Sequence, residues 1–232
     1  MSENRAMTMS RLLRIGVLVS ATMRAQSVES AAELFRKVQA FADFARTWKA
    51  EVIETSQLSG PGINLHEEVR TKLAAQTPLK MRRQNSGSDQ TVLVCDGVET
   101  FYSGDGNGYY KGDARVTPQC DLPLSKFYEF EDNPTSISVV GQDHVRLADS
   151  DRLCVVVRAT WRQEQVITVR TMFIDVSRPV VLRDVMERGD ERTGMKLVKT
   201  TTFTSFETNP VFPPDTFRFS VPPSAVEVKP PI

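Results

Sequence analysis

The chain has 232 residues, 40% of them hydrophobic, which is enough for one substantial core or at most two. Its 29 basic and 29 acidic side chains cancel, so no field for a polyanion exists and no nucleic-acid partner is expected. No run of about 20 apolar residues occurs, which excludes an ordinary membrane-spanning helix.

At the amino terminus, Arg11 and Arg14 precede the apolar run Ile15–Met23, with small residues at Ala21 and Ala25. A basic start, a short apolar stretch and small residues before a cleavage point mark a secretory signal peptide, here residues 1–25, although Arg14 shortens the apolar region. The other reading is an amphipathic helix retained in a cytosolic protein. Ser30-Ala-Ala-Glu33 then forms a capping box, in which the Ser oxygen and the Glu side chain each satisfy a free helix amide. Ala31, Leu34, Phe35, Val38, Phe41, Ala42, Ala45 and Trp48 recur at three- and four-residue steps, predicting one helix with a wide apolar face.

After Trp48 the period falls to two. Val52-Ile53, Ile63–Arg70, Leu79–Arg83, Val92–Cys95, Glu99–Tyr102 and Tyr109–Lys111 read as short strands separated by turn residues. Asp96-Gly97 between two apolar runs is a hairpin signal, because Gly takes positive φ without steric penalty. Leu122–Phe130 reads as a short middle helix, with Pro123 in its first turn and Pro134 after its end. Ser136–Val140, His144–Ala148, Leu153–Trp161, Val166–Ile174, Val180–Glu187 and Lys196–Phe206 resume the meander. Arg170 stands out as a charge among apolar neighbours. The pattern predicts an α+β fold: a large curved antiparallel sheet of about ten or eleven strands, with the helices against it, in one domain over residues 26–232.

The chain carries no recognisable catalytic constellation. His66 lies in a polar alternating strand and His144 at a strand start, and no Gly-x-Ser-x-Gly, Walker or His-Glu-x-x-His sequence occurs. Gly104-Asp-Gly-Asn-Gly108 reads as a turn, because Val116 stands where a calcium loop needs its bidentate Glu. No metal site and no cofactor are expected. Cys95, Cys120 and Cys154 allow one internal pair. In an exported chain the favoured pair is Cys120 with Cys154, since Cys95 lies in a strand that reads as buried; three reduced thiols is the alternative.

Several motifs occur together in order: the opening helix, Thr77-Pro78-Leu79-Lys-Met81-Arg, Leu93-Val-Cys-Asp96-Gly97 with Phe101-Tyr102, and Phe217-Arg-Phe219-Ser-Val-Pro222-Pro223 before Val226-Glu-Val228. This set resembles the lipoprotein-carrier superfamily, LolA with its LppX- and RseB-like relatives. The resemblance implies an incomplete β-barrel wrapped around helices, with an apolar cavity for acyl chains, in a monomeric, non-enzymatic protein of the bacterial periplasm. Its partners would be a lipid or an acylated protein, together with a membrane-protein docking partner. Phe35, Val38, Trp48, Phe101, Phe127, Phe130, Trp161 and Phe173 are the residues expected to line that cavity. The RseB-like relatives imply an alternative role, an envelope-stress regulator that binds a membrane regulatory protein. One departure is Gln76-Thr77 before Pro78, where lipoprotein carriers often hold an Arg.

Overall fold

A computed structural model describes residues 30–87, 90–104, 108–121, 124, 134–221 and 223–229. The expected signal peptide, the tip of the 104–108 turn and most of the expected middle helix, with Phe127 and Phe130, lie outside the described residues. Helix α1 (Ala31–Phe44) leads into β1 (Thr47–Gly60), β2 (Ile63–Gln76), β3 (Lys80–Ser86), β4 (Thr91–Asp96), β5 (Glu99–Ser103) and β6 (Gly108–Asp113). Then follow β7 (Ser136–Arg146), β8 (Asp151–Gln163), β9 (Val166–Asp175), β10 (Val181–Asp190), β11 (Met195–Thr208) and the short β12 (Val226–Glu227).

All twelve strands join one open sheet in the order β12-β6-β5-β4-β3-β2-β1-β11-β10-β9-β8-β7. The first six form a meander. The chain then crosses to the far edge, enters β7 and meanders back until β11 pairs with β1. The sheet is antiparallel except where β12 lies parallel to β6. It does not close, so β7 and β12 are its edges. Ser136–Val140 and His144–Ala148, expected as two strands, are replaced by the single β7, whose register shifts at Val139/Gly141. A bulge absorbs the glycine that reads as a break in the sequence.

The helix begins as its capping sequence predicts. The Ser30 Oγ accepts the Glu33 amide at 3.2 Å, and the Ser30 carbonyl accepts the Glu33 and Leu34 amides at 3.0 Å. It ends earlier than the apolar spacing predicts, at Phe44, and Trp48 belongs to β1 between Ala75 of β2 and Thr208 of β11. A residue four places beyond Phe44 fits a helical stripe, but it fits the strand face equally, and the two flanking ladders decide. Along β1 the buried residues Trp48, Ala50 and Val52 alternate, and their neighbours Leu73 and Ala75 continue that face across the sheet. Ala31, Leu34, Val38 and Ala42 of α1 share one buried cluster with them. Val38 is fully buried, which contributes about 1.5–3 kcal/mol.

The sheet curls strongly in its second half. Thr204 is the extra residue where the β1–β11 register shifts, and its carbonyl accepts the amide of Ala148, in the turn after β7, at 2.7 Å. The opposite face of β3–β6 is covered by the carboxy-terminal strap, residues 209–221 and 223–229. There Phe219 stacks on Phe101 with centroids 5.0 Å apart, and Val228 donates its amide to the Tyr109 carbonyl.

The cysteine pairing differs from the expected one. Cys95 is bridged to Cys120, their Cα atoms 5.6 Å apart, and Cys154 is buried and free. A 3-10 turn at Pro118–Cys120, just after β6, folds back onto the face of β4 that carries Cys95. Thr100 Oγ1, on the neighbouring strand, lies 2.9 Å from the Cys120 sulfur. Burial of Cys95 therefore does not exclude a bridge, because Cys120 is buried beside it. Cys154 stands on β8, opposite Asp175 of β9, away from this turn.

Candidate ligand-binding face

Helix and strand lengths decide where the core stops. Fourteen residues of α1 span about 21 Å, whereas fourteen residues of β1 span about 46 Å. Even laid along the strands, α1 covers less than half of them. Past Val52 the same face of β1 continues through Glu54, Ser56 and Leu58, none of which is fully buried.

Two ion pairs mark the boundary. Glu54 Oε1 lies 3.4 Å from Lys199 Nζ and accepts from Thr201 Oγ1 at 3.4 Å. Arg170 donates Nε and an Nη to Asp184 Oδ2 at 2.8 and 2.6 Å. The charge that looked isolated on β9 thus finds its partner on β10. Both side chains are mostly buried, 16% and 20% exposed, so each depends on the other to offset its lost hydration.

Beyond this belt the register sets Leu65 of β2, Leu58 of β1 and Leu197 of β11 side by side. The row then runs through Arg188 and Thr168 to Trp161 of β8. Leu65 is 62% exposed and Ile63 42%. An apolar row flanked by a guanidinium, on a face with no helix over it among the described residues, suits an amphipathic ligand better than water. The sequence signal for it was the long hairpin about Ser59-Gly-Pro-Gly62, whose strands alternate well past the reach of one helix.

Of the described residues expected to line a cavity, Val38, Trp48, Trp161 and Phe173 belong to one buried cluster with Phe35 packed against it, and Phe101 stands apart. Val38 and Trp48 are fully buried and Phe35 packs against the same cluster, so these three are core. Trp161, only 8% exposed and part of the same buried cluster, stands at the far end of the row. Phe101 is on the opposite face, under Phe219, because it pairs with Val94 and Lys111 rather than following the Cys95–Thr100 side. Phe173 also points away from the face of Met172, with the Arg183 guanidinium 5.2 Å over its ring. Cavity lining is replaced at both positions by packing on the other side of the sheet.

The titratable groups form no site for chemistry among the described residues, where no group of three His, Cys, Asp or Glu is arranged to hold a metal. His144 Nδ1 is 2.9 Å from Asp151 on an exposed edge, and His66 is exposed. Burial, then the nearby Asp175, pushes the Cys154 thiol up to about 12, so it is not a nucleophile. Hydrogen bonds from Arg115, first its side chain and then its amide, hold Asp113 down at about 2.

No protein-family model matches the chain, and no curated protein matches its sequence. Among solved structures, it is similar in fold to MucB, at 16% identity and a TM-score of 0.44 over 82% of this chain and 62% of that one. The present chain thus spans about three-fifths of MucB. MucB in complex with MucA is similar at 15% identity and a TM-score of 0.40, over 82% of this chain and 60% of that chain. A putative outer membrane lipoprotein-sorting protein domain from Vibrio parahaemolyticus is similar at 8% identity and a TM-score of 0.29, over 80% of this chain and 95% of that one. The likeness is one of fold.

Proposed function

We propose that this chain is a non-enzymatic binding protein of the bacterial cell envelope that holds the acyl chains of a lipid or lipoprotein on the uncovered half of its sheet. The observation that carries this reading is the apolar row Leu65–Leu58–Leu197, which lies past the reach of α1 and ends in the exposed Leu65. Each methylene removed from water there is worth about 0.8 kcal/mol, so a chain of ordinary acyl length would be held without covalent chemistry. Trp161 closes one end of the row, and Arg188 beside Leu197 can face an anionic headgroup. The Cys95–Cys120 bridge supports an oxidising compartment, in keeping with export to the periplasm through residues 1–25.

The test is lipid extraction and mass spectrometry of the full chain purified from a bacterial host. Wild-type protein is expected to carry phospholipid or acylated peptide. Leu58→Asp and Leu65→Asp should lose it, while Val211→Asp, at a residue 97% exposed on the strap, should keep it. Wild-type protein free of lipid, or retention indifferent to Leu58→Asp, would overturn the reading. Recovery of a membrane regulatory protein with no lipid would favour the regulator role instead.

A further inference from the structure

A second recess lies on the other face of the sheet, where the carboxy-terminal strap crosses β3–β5. It has a volume of about 600 Å³ and is walled by Arg82, Val92 and Ser103 of the sheet and by residues 213, 215, 216 and 218–220 of the strap. Ligand pockets commonly measure roughly 300–1,000 Å³. Its floor is set in place, since the Phe219 ring is stacked on Phe101 and lies 5.6 Å from Tyr109. Arg82 donates to the Arg218 carbonyl at 3.4 Å and pairs with no carboxylate among the described residues. Arg218 carries a second guanidinium, 3.8 Å from Asp215, whose carboxylate also lines the recess and is offset by it. Ser103 and Thr216 add hydroxyls to the same lining, and Val92 and Phe219 add apolar surface.

We propose that this recess binds a small single-chain amphipathic anion. Arg82 and the hydroxyls take a phosphate, sulfonate or carboxylate head, and Val92 and Phe219 take the apolar body. A guanidinium whose Nη groups are not spent on a carboxylate is suited to such a head, because charge-assisted hydrogen bonds are about twice as strong as neutral ones. The site is independent of the acyl-binding row, which lies on the opposite face.

Titration of the full chain with octyl phosphate, followed by amide chemical shifts, tests the assignment. Saturable shifts are expected at Ser103, Thr216 and Ser220. Arg82→Gln should weaken octyl phosphate by about tenfold or more and leave the weaker binding of neutral octyl glucoside unchanged. Thr216→Trp, which fills the recess from the strap without touching the sheet, should abolish both. The proposal fails if saturable shifts are absent or fall on Leu58 and Leu197, or if Arg82→Gln weakens both ligands equally. Full affinity in Thr216→Trp, or sedimentation with phosphatidylglycerol vesicles without octyl phosphate binding, would also overturn it.

Discussion

Replacing Cys95 and Cys120 together by Ala should destabilise the protein severely, and the size follows from the loop they close. The two residues are 25 apart in sequence, and a cross-link over a loop of that length restricts the unfolded chain by roughly 3.5 kcal/mol. Both sulfurs are buried, so truncation leaves unfilled space and adds to the loss. Urea unfolding followed by the fluorescence of the buried Trp48 and Trp161 measures the change. Thiol counting is the companion measurement. The unfolded, unreduced chain should expose one thiol, Cys154, and three after reduction. A destabilisation below about 1 kcal/mol would refute the reasoning, on the loop-entropy scale used here. So would peptide mapping that links Cys120 to Cys154, since the turn at Pro118–Cys120 would then not be fastened to β4.

Trp48→Ala removes a fully buried side chain between two ladders and should cost about 3–5 kcal/mol, read as a lowered midpoint in the same urea experiment. Asp113, held at about 2 against an ordinary 3.8, favours the folded state above about pH 4, and that contribution is lost as pH falls through 2. A carboxyl NMR titration should find it there, and Arg115→Gln should return it towards 3.8. Cys154 runs the other way: its thiol is pushed up to about 12 from 9.0, so its contribution is complete below pH 9 and fades as pH rises towards 12. Native protein at pH 8 should therefore resist iodoacetamide, and alkylation should follow the unfolding curve.

Short-range chemistry was legible in the sequence. The Ser30 cap and the Asp96-Gly97 turn each need only four residues: Ser30 Oγ accepts the Glu33 amide, Asp96 Oδ1 accepts the amides of Val98 and Glu99 at 2.8 Å, and Gly97 takes φ +106°. The antiparallel meander followed from period-two alternation. What failed depended on distant chain. The face of Phe101 relative to Tyr102 is fixed by alternation, but which of them faces α1 depends on a strap that arrives after β11. The same holds for Cys120, whose partner is chosen by the path taken after β6. Trp48 shows a third kind of failure, since its spacing satisfies a helix and a strand alike and only pairing with β2 and β11 separates them.

A sheet covered on both faces also makes aromatic residues poor guides to a cavity. Phe101 is covered by Phe219 of the strap, and Phe173 lies under the Arg183 guanidinium. The charged belt is the better guide. Glu54, Lys199, Arg170 and Asp184 face the same side as Trp48 and Val52 and lie just past them. A longer helix over that belt would have to strip these groups of water, at several kcal/mol per ion before pairing offsets it. The sequence of the strands therefore opposes extending the core, whatever the helix could do. The apolar row beyond the belt then lies past the reach of α1 for two independent reasons, the short span of the helix and the charges that bar its extension.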